Sequence, residues 1–231
     1  MKKKHILPFT ISLFLLFSGI GFAQNKVKTD SLKIRKVYGI RVGLDLSNPI
    51  RTALNNNRKA FEITADARIK SNLFVATEMG YLDQFIQEVK YDYNTKGQYL
   101  KFGANYNVYK NWLDMDNEIY VGLRYGYSTF QQAVSNIIIN TENTLPPLTI
   151  PETQTFDNLN ANWLEFLIGI KAEVYKNIYL GFQLSGNKML SQKEPETFQN
   201  LYVPGFNRVF LNKSGFGFNY TISYRFPILR K

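Results

Sequence analysis

The charged residues that could do chemistry in this chain are spaced so that they share a face. Arg41, Arg68, Lys101, Arg124, Lys171 and Arg225 stand at one parity of alternating segments, and Asp45, Glu62, Asp66, Glu78, Glu165 and Glu173 stand at the same parity. Two carboxylates held close together can serve as general acid and base, which makes Asp45 with Glu62 and Glu165 with Glu173 the candidate catalytic pairs. The two signs nearly balance, however, and charges of both signs on one face also form purely structural networks. A structural polar network is the expectation preferred here. Nucleophilic and metal chemistry lack their usual residues: His5 is the only histidine, and there is no cysteine. His5 falls in a segment expected to be cleaved off. The mature chain then has no Ser–His or Cys–His pair and no His or Cys ligand for zinc, haem or an iron–sulfur cluster. No loop follows the D-x-[DN]-x-[DN]-G calcium pattern. The expectation is therefore no catalytic residue, no metal, no cofactor and no enzyme activity.

Placing these charges on one face requires elements that turn every second side chain the same way. The clearest is 216–226, F-G-F-N-Y-T-I-S-Y-R-F, with Phe216, Phe218, Tyr220, Ile222, Tyr224 and Phe226 on one side and Gly217, Asn219, Thr221, Ser223 and Arg225 on the other. Such a period of two is that of a β-strand. The same pattern recurs near 38–46, 61–69, 75–81, 100–108, 118–127, 164–174 and 178–185, which predicts eight strands in an all-β, up-and-down antiparallel barrel. A large aromatic outer face with a polar inner face suits a barrel in lipid. In the sixth strand, a slip of one residue would turn Glu165, Lys171 and Glu173 outward. Lysine at a bilayer midplane costs about 2–4 kcal/mol, a large share of a domain's roughly 5–15 kcal/mol.

The connections alternate in expected length. Short ones follow the second, fourth and sixth strands, at 70–72, 110–117 and 176–177. Long ones follow the others: a polar stretch with Pro49 and Asn55-Asn56-Asn57, an excursion over 83–97 closing at the turn-like Asn94-Thr95-Lys96-Gly97, residues 131–160 with Pro146, Pro147 and Pro151, and a last one with Pro195 and Pro204. Short periplasmic turns and long outer loops are the pattern of outer-membrane barrels. Residues 131–160 are read first as a solvated loop; the alternative is that Ile137-Ile138-Ile139 continues the fifth strand as an exposed edge able to pair with a partner strand.

The N-terminus gives the compartment. Lys2, Lys3 and Lys4 precede a mostly apolar run over 6–17, and Gly21-Phe22-Ala23 sets small residues before Gln24. This predicts a signal peptide over 1–23, a periplasmic lead-in over 24–35 and a barrel domain over 36–231. The formal charge of +10 falls to +7 without the three signal lysines. The remaining basic residues are scattered, which argues against nucleic acid and favours anionic lipid or lipopolysaccharide phosphate. No uncharged apolar stretch is long enough for a spanning helix.

With its G-F-A before Gln24, its eight alternating segments and the closing Y-T-I-S-Y-R-F, the mature chain resembles the small outer-membrane β-barrels of Bacteroidota. It is also similar in architecture to eight-stranded OmpX-type barrels. The resemblance implies an outer-membrane location and handling by the barrel-assembly machinery through the last strand, behind which 227–231 trail. Membrane-embedded lipases, palmitoyl transferases and omptin-like proteases resemble the size class, but they use a histidine that this chain lacks. Two functions are weighed. One is a non-enzymatic outer-membrane barrel with a plugged polar lumen, acting through extracellular loops in interaction, envelope integrity or accessory assembly, with a protein partner at those loops. The other is a soluble periplasmic or secreted barrel whose Phe216, Phe218, Tyr220 and Ile222 line a cavity for a small apolar ligand.

Overall fold

The computed structural model describes residues 37–110, 116–139 and 148–230. The expected signal peptide, the lead-in and Pro146-Pro147 lie outside the described residues. The chain runs through β1 (Val37–Asp45), a helix α1 (Ser47–Leu54), β2 (Arg58–Lys70), β3 (Leu73–Gln87), β4 (Asp92–Asn107) and β5 (Glu118–Ser135). It continues through β6 (Ile137–Ile139), β7 (Leu148–Ile150), β8 (Gln154–Tyr175), β9 (Ile178–Gln192), β10 (Tyr202–Val203), β11 (Asn207–Arg208) and β12 (Ser214–Arg230). Eight of these strands close an antiparallel barrel in the order β1-β12-β9-β8-β5-β4-β3-β2. The seam is β1 against β12, with Leu44 opposite Ile222 and Arg41 opposite Arg225. Closure leaves the ring without a free edge.

The alternation in sequence becomes inside and outside. Along β8, Glu165 and Leu167 are 0% exposed, whereas Phe166 is 58% and Ile168 50% exposed. Outward residues of neighbouring strands sit side by side, as Leu123, Phe166 and Gly186 do across β5, β8 and β9. Phe216, Phe218, Tyr220 and Ile222 also face outward, 38–58% exposed.

Three connections and the C-terminal segment differ from expectation. The stretch after β1 is not wholly irregular: 47–54 form α1, whose start is tied to Asp45 by Ser47 and Asn48. Asn94-Thr95-Lys96-Gly97 is no turn but part of β4, paired with β3 on one side and β5 on the other. Pairing on both sides outweighs the local turn preference of Asn and Gly. The β3–β4 connection shrinks to 88–91 and is shorter than 108–117, so length alternation is broken there. Ile137–Ile139 does not continue β5, because Asn136 takes φ 53° and redirects the chain; the isoleucines pair instead with Leu148–Ile150. The residues after Phe226 do not trail. Pro227 and Leu229 pair with Gly39 and Tyr38, across a bulge at Tyr38/Gly39 that accommodates a proline without a ladder donor.

The apolar core lies inside the barrel, toward the end that carries α1 and the β9–β12 connection. Tyr99, Phe130, Leu159, Ala161, Trp163 and Met189 come from the walls, while Val203 and Phe206 come from the β10–β11 hairpin folded into the mouth. Phe206 meets the Trp163 ring edge-on at 5.7 Å, and Asn187 donates to the Phe206 carbonyl at 3.1 Å. The tip needs Gly205: its φ is +80°, and a Cβ there would lie 2.5 Å from the Tyr99 ring. Large inward rings also lie over glycines directly across the ladder, Tyr99 over Gly80, Tyr120 over Gly169 and Trp163 over Gly126.

Gly126→Val therefore drives a side chain into the indole, because the added Cβ would overlap Trp163 Cε2. Overpacking of this kind costs about 1–3 kcal/mol. A lower urea midpoint for the folded barrel is the expected result. Gly186→Val, where nothing lies within 4 Å of the added Cβ, serves as the neutral control.

Candidate functional site

The inward charges form two layers. At the end of the two-residue turns, Arg41 Nε bonds Asp66 at 2.6 Å while its Nη1 and Nη2 bond Glu118 at 2.5 and 3.1 Å. Lys171 Nζ reaches the other Asp66 oxygen at 2.5 Å. Arg68 bonds Asp116 at 2.5 Å, and Arg225 bonds Asp116 and, at 3.2 Å, Glu173. Aromatic faces pad the guanidinium groups. Arg41 sits 4.7 Å from the Phe74 ring and 5.0 Å from that of Tyr179, and Arg225 lies 5.1 Å from Tyr179.

Lys101 is the centre of the second layer, with Glu78 at 3.0 Å, Glu165 at 3.4 Å and Glu62 at 3.7 Å. Glu62 also accepts from Tyr99 at 2.6 Å and from Asn219 at 2.8 Å. Arg124 Nε lies 3.6 Å from Glu78, and its Nη1 donates to the Ala104 and Leu123 carbonyls. Although Arg124 and Glu165 are opposite in the ladder, Glu165 turns to Lys101 and to Trp163 Nε1 at 3.5 Å.

Every charge singled out from sequence thus points into the barrel, with Glu173 half-buried at the turn end. The candidate catalytic pairs fare differently. Asn219 Nδ2 bridges Asp45 and Glu62, but Asp45 is occupied by Ser47, Asn48 and the Tyr220 amide. Glu165 and Glu173 are separated by eight strand positions, about 26 Å at 3.3 Å per residue, and join different layers. Sequence reading missed Asp116 because it stands in a polar connection, yet it shares the parity of Glu118, which makes it findable. Glu118 faces inward as its parity requires, and its pairing with Arg41 comes from the structure alone.

Free space inside is small. Voids of about 20 Å³ lie beside Asp45, Glu62 and Lys101 and beside Asp66, Glu78 and Arg124. Each has room for roughly one water molecule. A large cavity, about 620 Å³, lies at the loop end between the β3–β4 turn and the β10–β11 region. Its wall includes Tyr91, Tyr202 and Phe210, with Glu88, Glu194, Gln199, Arg208 and Lys213. Burial and the nearby Glu88 carboxylate raise the Tyr91 phenol, so it remains a hydrogen-bond donor at neutral pH. Sequence reading missed this site because its wall is assembled from connections distant in the chain.

A closed, antiparallel, eight-stranded barrel whose interior is filled by an ion network is the class that fold and site define. The family described as "Domain of unknown function (DUF6048)" matches residues 6–231, and the chain belongs to that family. No curated protein matches it. Among solved structures it is similar to Ail, the attachment invasion locus protein of Yersinia pestis, at 11% identity and a TM-score of 0.43, covering 82% of this chain and 97% of that one. It is similar to a major outer membrane protein from Thermus thermophilus at 13% identity and a TM-score of 0.45, covering 82% and 98%. A third likeness is to CarO2 of Acinetobacter baumannii, at 10% identity and a TM-score of 0.41, covering 83% and 99%. Likenesses of this size carry no functional reading, which must come from the chain's own residues.

Removing one member of a buried ion cluster costs about 3–5 kcal/mol, because the remaining charges are left without a partner. Lys101→Met strands three carboxylates and should lower the urea midpoint by an amount of that order. Lys101→Met combined with Glu78→Gln should recover part of the loss. Strict additivity of the two changes would contradict the cluster.

Proposed function

We propose that this protein is a non-enzymatic outer-membrane β-barrel with a sealed polar interior, acting through its loop end in interaction, envelope integrity or accessory assembly. The observation that carries this reading is the inversion of faces along single strands: charged groups are buried, and the aliphatic and aromatic groups between them are exposed around the barrel. Water does not favour a continuous apolar surface of that extent, whereas lipid solvates it. A closed ring also satisfies its own backbone groups, which lipid cannot do. The soluble alternative has no support, since the residues that should line its ligand cavity face outward.

The expected partners fit the same picture. Exposed Lys59, Lys96, Lys188 and Lys193 lie toward the loop end of their strands, where lipopolysaccharide phosphate would be the counter-charge. The outward aromatic row of β12 is the feature the barrel-assembly machinery would read. Val89 and Leu211, 89% and 102% exposed in two neighbouring connections, suit contact with a protein partner at the outer loops. Lys101 and Arg41 are engaged by carboxylates, and the voids beside the network are water-sized, which supports a reading without conduction.

Ile168→Arg should block assembly, because it places a charge in lipid at about 2–4 kcal/mol, while Lys171→Gln should still give a folded barrel. Heat-modifiable gel mobility after envelope fractionation reads both, and equal tolerance would overturn the assigned facing. In planar bilayers the purified barrel should show no porin-sized conductance; a steady open channel would remove the sealed interior from this reading. Shortening residues 136–153 should leave the barrel assembled while abolishing any envelope phenotype that depends on the wild-type protein.

A further inference from the structure

The helix α1 carries its polarity inside out. At about 100° per residue, Ser47, Asn48, Arg51 and Thr52 share one side and Pro49, Ile50, Ala53 and Leu54 share the other. A surface helix of a globular domain ordinarily turns its apolar side to the core. Here Ser47 and Asn48 are buried, Arg51 and Thr52 are half-buried, and the four apolar residues are exposed. Ile50 is 54% and Leu54 83% exposed. This is the facing of the barrel wall itself, polar groups inward and apolar groups outward.

The ladder explains why a helix stands there. β1 is the shortest strand of the ring and ends at Asp45, opposite Thr221. Its neighbours run further toward the loop end, where 58–62 of β2 pair with β3 and 214–219 of β12 pair with β9. The helix occupies the place that a longer β1 would take. It is tied to both neighbours: the Leu46 amide donates to the Tyr220 carbonyl at 2.6 Å, and Thr52 Oγ1 accepts from the Ala60 amide at 3.3 Å. Phe61 of β2 and Phe218 of β12 face outward on the strands to either side, so the apolar belt continues across α1. Arg51 sits over the outward Phe218 ring, 5.6 Å from its centre. Among the described residues it forms no ion pair, and neither does Arg58, whose Nη1 and Nη2 donate to the neutral amides of Gln84 and Asn48 at 2.7 and 2.8 Å. The carboxylates of the same crevice, Asp45 and Glu62, are taken by their own donors.

We propose that α1 is a lipid-docking element: Pro49, Ile50, Ala53 and Leu54 lie among acyl chains, and Arg51, backed by Arg58, takes the headgroup phosphate of an anionic lipid. Acyl chains continue the surface that solvates Phe61 and Phe218. An amphipathic helix with a basic margin is the form that lies in a membrane interface. Guanidinium groups meet phosphate oxygens through paired N–H donors. A soluble anion would leave the apolar side uncovered. The inference rests on the outer-membrane reading of the barrel, and the experiment scores the two separately.

The chain has no cysteine, so Leu54→Cys, Ile50→Cys, Phe166→Cys and Val89→Cys each supply a single spin-label site. Labelled barrels are reconstituted in vesicles of phosphatidylcholine and phosphatidic acid. Collision with oxygen, which partitions into lipid, is compared with collision with a water-soluble nickel chelate. Phe166→Cys reports the barrel belt and should favour oxygen, whereas Val89→Cys, in the β3–β4 connection, should favour nickel. Leu54→Cys should read like Phe166→Cys, and Ile50→Cys takes its place if that variant does not fold. A Leu54 label that favours nickel, or one shielded from both with spin–spin broadening from a second copy, overturns the inference while leaving the barrel reading standing. A Phe166 label that favours nickel overturns the barrel reading itself. Native mass spectrometry of unlabelled barrel from the same vesicles reads the headgroup. Arg51→Gln should lower phosphatidic acid binding about fivefold, and Arg51→Lys should retain most of it. Unchanged binding in Arg51→Gln, or release of the lipid by inorganic phosphate, overturns the phosphate site.

Discussion

A closed ring of eight strands admits two environments only, and the interior is narrow enough to be filled by its own side chains. Once β1 meets β12, every inward charge must find its partner within that space. Lys101 shows the consequence most directly: Glu62, Glu78 and Glu165, from β2, β3 and β8, converge on one ammonium from strands that are not all neighbours. The ion network thus ties opposite walls together as well as filling the space between them. Such a network is weak evidence for net stability, because desolvation offsets much of the attraction. It constrains register strongly, since a slip by one residue would turn its members outward.

The turn-end layer uses a second device. Arg41, Arg68 and Arg225 are held by carboxylates and also by the faces of Phe74 and Tyr179. Guanidinium groups suit this setting, being planar and weakly hydrated. Lysine appears where a compact charge is shared among carboxylates, at Lys101.

The loop end is closed by different chemistry. Apolar packing of Val203 and Phe206 on Trp163, Phe130 and Met189 stoppers the mouth, while α1 caps Asp45 beside it. A polar interior is thereby shielded at one end by a small hydrophobic core, an arrangement in which the loop cavity stays separate from the lumen. The loop end can then vary without disturbing the network that holds the barrel together.

The alternation of Phe216 to Arg225, and of Leu164 to Glu173, by itself determined strand identity, facing and the inward placement of every charge named from it. Period two is a property of the backbone, and it needs no tertiary information. The same parity would have found Asp116 from Glu118. Lengths and partners were another matter. Asn94-Thr95-Lys96-Gly97 has turn chemistry in isolation and becomes strand only because β3 and β5 offer ladders on both sides. Which carboxylate Lys101 would take, why Glu165 ignores its ladder neighbour Arg124, and that Phe206 would drop into the barrel mouth all depend on distances across the ring. The sequence order of β2, β3, β4 and β8 does not contain those distances; closure of the barrel creates them.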